Sequence, residues 1–144
     1  MQHSIASSQS TVPYSLVQSP VSGMLEQCRR LDLPWAVLIN MRSWMRFRAG
    51  FVEVATQWHP SSCIFCGMLA RGSGAPRRRQ VHVLGKCSHW KVERAVVLHQ
   101  LGGALGRPDQ IALAMLRVKP DEQAFACAVD FCAKIDAAAR KLLG

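Results

Sequence analysis

A chain of 144 residues with 49% hydrophobic content has room for one packed core and not for two, and no uninterrupted apolar stretch in it approaches the length of a bilayer span. No Lys or Arg precedes Arg29 and no apolar signal core lies there, which predicts a reducing, cytoplasmic setting. The formal net charge of +9 excludes an acidic solvating chain and is unevenly spread: twelve Lys or Arg stand between Arg29 and Arg94 against Asp32, Glu53 and Glu93. A basic middle segment attracts phosphate polyanions, and this points to DNA as a partner; the bland reading is a solvated basic surface.

In chain order, residues 1–20 are rich in Ser, Gln, Thr and Val with almost no charge, and are expected to form a disordered tail ahead of a single compact domain over 21–144. Met24, Leu25, Cys28 and Leu31 recur at helical spacing behind Ser22, and Pro34 ends that helix. A short second helix is predicted for Trp35–Arg42. Residues 43–58 read as a β hairpin turning at Ala49 and Gly50, in a register that sets Phe47 opposite Val52, Met45 opposite Val54 and Arg46 opposite Glu53. Gly-Ser-Gly-Ala-Pro followed by Arg77, Arg78 and Arg79 is a loop by composition, and Gln80–Leu84 alternates as a short strand. From about Lys91 onward the pattern is helical, broken at Gly106–Pro108 and at Pro120. Phe125, Val129, Cys132, Ile135, Ala139 and Leu142 form the buried stripe of a long last helix. The expected fold is α+β: a small zinc-stapled β hairpin or ribbon flanked by helices, with a zinc-knuckle segment over 59–90 and a helical segment over 91–144.

Six cysteines in a reducing compartment are metal ligands, buried filler or redox groups sooner than disulfides. Cys28, Cys127 and Cys132 sit inside apolar helical patterns and read as filler. Cys63-Ile64-Phe65-Cys66-Gly67 has the spacing of a zinc knuckle, where a tight turn aims two thiolates at one ion, and Cys87 with His89 supplies a second pair. His59 and His82 are substitutes for His89. Four protein ligands make the zinc structural. The alternatives are unrelated buried cysteines, or a dithiol in a thiol-dependent redox protein. Pro60 ahead of the first pair resembles half of the nucleobase-deaminase signature, but no His-x-Glu lies upstream, so the general acid of that chemistry is missing.

Leu101–Gly106 followed by Arg107–Leu116 resembles a helix-turn-helix, with Gly102 or Ala104 for close packing, Gly106 at the turn, and Ile111, Ala112 and Met115 seating the second helix. That resemblance implies contacts to DNA from Arg107, Gln110 and Arg117, with Arg46, Arg48 and the Arg77–Arg79 run on phosphates. The other reading is a plain helical pair. Trp35, Trp44, Trp58 and Trp90 interleave with the basic residues and suit either base stacking or core packing. No residues stand at catalytic spacing. The sequence therefore predicts a non-enzymatic DNA-binding regulator or accessory protein with structural zinc, the rivals being a protein-interaction module and a redox protein.

Overall fold

The computed structural model describes residues 22–49, 63–67, 76–103 and 106–143, and among these every regular element is helical. The helices are α1 (Ser22–Arg30), α2 (Trp35–Ala49), α3 (Pro76–Gly85), α4 (Lys91–Gln100), α5 (Pro108–Arg117) and α6 (Ala124–Leu143), with a single 3-10 turn at Ser88–Trp90. The predicted tail over 1–20 lies outside the described residues, as do Val52, Glu53 and Val54 of the expected hairpin.

The α+β expectation is overturned. Ser43–Ala49 continues α2 without a break instead of opening a hairpin. Met41, Trp44, Phe47 and Arg48 are the buried positions, at intervals of three and four, so the helical period wins over the alternation. An isolated two-stranded hairpin gains little in water, whereas a helix with this stripe buries two aromatic rings. The strand expected at Gln80–Leu84 is likewise the second half of α3, and Arg77–Arg79 form its first turns, not a loop. Gln80, Val83 and Leu84 are its buried residues, and Pro76 suits a first helical position because the N–H it lacks would be unpaired there.

The centre of the molecule is α2 packed along α6. Trp44 meets Phe125 edge to face at 5.3 Å, and Met41, Phe47, Val129, Ile135 and Ala139 close the layer around them. The last helix starts three residues later than expected after Pro120, and its stripe is buried except for Leu142, which lies past the packed region and is exposed. α5 is tied to α2 by its C-terminal carbonyls: Trp44 Nε1 donates to Met115 O at 3.0 Å and Arg48 donates to Leu116 O. Positive charge at a helix C-terminus is favourable, and Arg48 also lies over the Trp44 ring, 4.8 Å from its centroid.

The helix-turn-helix expectation falls on α4 and α5, with Ala104 outside the described residues. α4 closes at Gln100, and the positive φ of Gly102 (102°) and Gly103 (73°) lets the Gly103 N–H bond back to Leu98 O at 2.9 Å. Beyond that stop the two helices take different principal partners, α4 packing on α6 and α5 on α3. α3 packs on α5, and Gly85 at the end of α3 lies against Pro108 at the start of α5. A Cβ on Gly85 would fall 2.7 Å from Pro108 Cα. On the outer side of α4, Val92 and Val96 are exposed. No described helix is long and apolar enough to cross a membrane.

Candidate metal centre

Two chain reversals build the site. In the first, the Gly67 N–H bonds to Cys63 O at 2.9 Å with Gly67 at φ 72°, a left-handed conformation that a side chain would strain. This closes the Cys63–Gly67 knuckle and leaves the Phe65 N–H 3.4 Å from Cys63 Sγ. The second reversal is the end of α3, where the N–H groups of Lys86 and Cys87 both bond to His82 O, at 2.8 and 2.7 Å. The chain folds back on itself after Gly85, and Cys87 returns to the side of the helix that carries His82.

The two reversals face one another. Cys63 Sγ lies 3.7 Å from Cys87 Sγ, and Cys66 Sγ lies 3.4 Å from His82 Nε2. All four ligand atoms fall within 4.8 Å of one another, a cluster that can hold one metal ion. Cys63 and Cys87 are buried and Cys66 is half-buried. The Cys87 thiol facing Cys63, together with His82 and the local N–H groups, outweighs burial and holds Cys63 far below the ordinary thiol range, at about 3. The same contact, reinforced by burial, pushes Cys87 up.

Arg94, on α4, anchors the second reversal from outside. Its guanidinium donates to Leu84 O at 2.9 Å, Val83 O at 3.3 Å and Cys87 O at 2.6 Å, satisfying carbonyls that the end of α3 leaves unpaired. It is buried, and burial lowers its affinity for the proton while the neighbouring Cys87 raises it. Aromatic rings fix the knuckle to the rest of the protein. Phe65 stands edge to face with Trp90 at 5.2 Å, and Trp90 with Phe131 of α6 at 6.1 Å.

Of the residues expected to bind metal, Cys63, Cys66 and Cys87 come together; His89 does not join them, and the substitute His82 takes the fourth position. His89 is exposed and stacks on Phe65 at 5.5 Å. His59 is outside the described residues. Cys28 and Cys132 are buried, and burial pushes both thiols up; Cys28 points its sulfur at Met41 Sδ, 3.6 Å away.

The basic residues are dispersed. Arg48 is buried in the core, Arg46 pairs with the buried Asp136 of α6 at 3.3 Å, and Arg107 is exposed and pairs with Asp109 at 3.3 Å. Gln110 and Arg117 are exposed on α5, and Arg77–Arg79 occupy the opening turns of α3. Arg94 and the ring contacts of Phe65 were not singled out by sequence reasoning; Trp90, for which core packing was one reading, is buried and meets Phe131 of α6. Arg94 carried a signal: with Trp90, Val97, Leu98 and Leu101 it stands at helical spacing inside an apolar stripe, the mark of a buried position. Comparison of the chain with protein-family models, curated proteins and solved structures finds no match, so the site is read from its own chemistry.

Proposed function

We propose that this protein is a non-catalytic DNA-binding module in which a structural zinc ion clamps the end of α3. The observation that carries the zinc is the spacing of the ligand atoms. Tetrahedral zinc with bonds of about 2.3 Å to sulfur and about 2.0–2.1 Å to imidazole nitrogen has S···S edges of about 3.8 Å and S···N edges of about 3.5 Å. The contacts of 3.7 Å and 3.4 Å match those edges. Three thiolates and a neutral imidazole select a soft or borderline divalent ion, and they fill all four positions, which leaves none for a reacting water. Three thiolates also leave the zinc centre with one excess negative charge, and the buried Arg94 beside Cys87 offsets it.

Support for DNA as partner comes from where α3 points. The metal holds its C-terminal end, while Arg77, Arg78 and Arg79 open the helix at the other end. Arg117 ends α5, the helix that packs on α3, and Lys119 follows it. Basic residues on two packed helices suit a run of phosphates. The test is metal analysis of the purified protein beside duplex-DNA binding measured over a range of salt. Changing Arg77, Arg78 and Arg79 together to Ala is expected to weaken binding and make the slope of log affinity against log salt shallower by up to about 2.7. Unchanged affinity and slope would overturn the DNA reading and favour the protein-interaction module.

A further inference from the structure

The candidate metal cluster is unevenly shielded. Cys63 and Cys87 are 3% and 0% exposed, whereas Cys66, at the far end of the knuckle, is half-buried. The three sulfurs and a His82 ring nitrogen all lie within 4.8 Å of one another, so a reagent that reaches Cys66 from solvent meets a sulfur with two others beside it. Cys127 on α6 is half-buried too, but among the described residues it belongs to no such cluster.

A bound metal keeps its cysteine ligands as thiolates, the form of the side chain that reacts with oxidants. Zinc has no redox chemistry of its own, so any electrons the centre gives up come from sulfur. A cysteine oxidises reversibly when it combines thiolate character, solvent access and a second cysteine alongside, because the sulfenic acid formed first condenses to a disulfide before it is oxidised further. In the metal-loaded cluster Cys66 meets all three conditions.

We propose that hydrogen peroxide oxidises Cys66 of the metal-loaded cluster, and that the disulfide it then forms with Cys63 or Cys87 expels the ion. This inference rests on the metal reading of the cluster. The Cys66 thiolate attacks one peroxide oxygen; an S–O bond forms, the O–O bond breaks and hydroxide leaves. A second thiolate attacks the sulfenic sulfur, forming the S–S bond and releasing hydroxide from the broken S–O bond. The two sulfurs together give two electrons to the peroxide, and the two hydroxides take protons from solvent to become water. His82 and the one remaining thiolate are too few for a tetrahedral site. A dithiol reductant regenerates both thiolates, and with them the ligand set.

The test is to treat the zinc-loaded full chain with hydrogen peroxide, reading release with a chromophoric chelator and mapping disulfides after free thiols are trapped. About one zinc ion should leave for each disulfide formed, and dithiothreitol with added zinc should reverse both changes. Trypsin cleaves after Lys86 and Lys91 and so separates Cys87 from the peptide holding Cys63 and Cys66. Fragmentation of that peptide identifies the bonded sulfur, and this measurement needs no variant. Cys66→His keeps four ligands of a kind zinc accepts and removes the half-buried sulfur. It should hold zinc and release it on the order of tenfold more slowly under the same peroxide. Cys127→Ser should release zinc at the parent's rate. A chain that binds no zinc before peroxide is added would overturn the metal reading and this inference together. Zinc that peroxide does not release, a disulfide that omits Cys66, or equal release rates in Cys66→His and the parent would overturn this inference and leave the metal reading standing.

Discussion

The α2–α6 layer and the segment joining the knuckle to α3 are held by different means. The first buries Trp44, Phe47, Phe125, Met41 and Ile135, large side chains whose removal from water offsets the entropy of ordering two long helices. In the second, the buried apolar residues are Cys63, Val83, Leu84, Cys87 and Trp90, and two of these are sulfurs of the metal cluster. Further ties are the packing of α3 on α5, the Phe65–Trp90–Phe131 rings and the three carbonyls gathered by Arg94. A ten-residue helix is marginal in isolation, and its end meets the knuckle at a cluster that can hold a metal ion, a feature the α2–α6 layer lacks.

The contrast can be broken most directly by removing metal. Apparent binding free energies of structural zinc sites are about 10–16 kcal/mol, so chelation should give the largest effect. Amides of residues 80–90 are expected to lose hydrogen-exchange protection while those of 41–48 and 125–139 keep theirs. Uniform loss would show that the two regions are one cooperative unit. From the opposite side, Trp44→Ala should cost about 3–5 kcal/mol in denaturant unfolding without lowering the metal content of the folded fraction. Arg94→Met keeps the length of the side chain but leaves buried carbonyls without donors, each worth about 1–3 kcal/mol. It should destabilise the protein and weaken metal retention together, whereas a fall in stability alone would detach Arg94 from the centre.

Smaller effects sharpen the same comparison. Because Cys63 is held far below the ordinary thiol range and Cys87 above it, the metal-free pair carries one proton near neutrality. Metal entry expels that proton, so affinity should rise with pH, about tenfold per unit for each proton released. Competition against a chromophoric chelator between pH 6 and 8 reads this, and a flat profile would remove Cys87 from the ligand set. Smallest is Lys134→Ala, which breaks an exposed i,i+4 pair with Asp130 and should change stability by about 0.3–0.5 kcal/mol.

What could be read from the sequence follows the same division. The long last helix and the break at Pro34 were legible because a stripe of many turns, or a proline, admits one interpretation. Gln80–Leu84 was not: five residues are too few to separate a period of two from one of 3.6. That ambiguity also hid the fourth ligand. As a strand, 80–84 leads the chain away and makes His89 the natural companion of Cys87. As the end of a helix that folds back on His82 O, it returns Cys87 beside His82 instead. The hairpin failed for a related reason, since Arg46 and Phe47 alternate over a few residues while Met41, Trp44, Phe47 and Arg48 follow the helix over more. Arg48 and Arg94 counted as surface charge by composition, and only their places within apolar stripes identify them as buried.

The approach of α3 to α5 at Gly85 bears on how such a chain can diverge. The atoms that a side chain at 85 would meet belong to the Pro108 backbone, which no rotamer change can move aside. Gly23 and Gly106, with nothing within 4 Å of an added Cβ, are under no such contact. In any lineage that keeps this helix pair, position 85 should be fixed as glycine while 23 and 106 drift. Loss of the glycine should be tolerated only where the whole crossing has been rebuilt, and His82 and Cys87 of the candidate metal cluster, on either side of it, would then be free to vary as well.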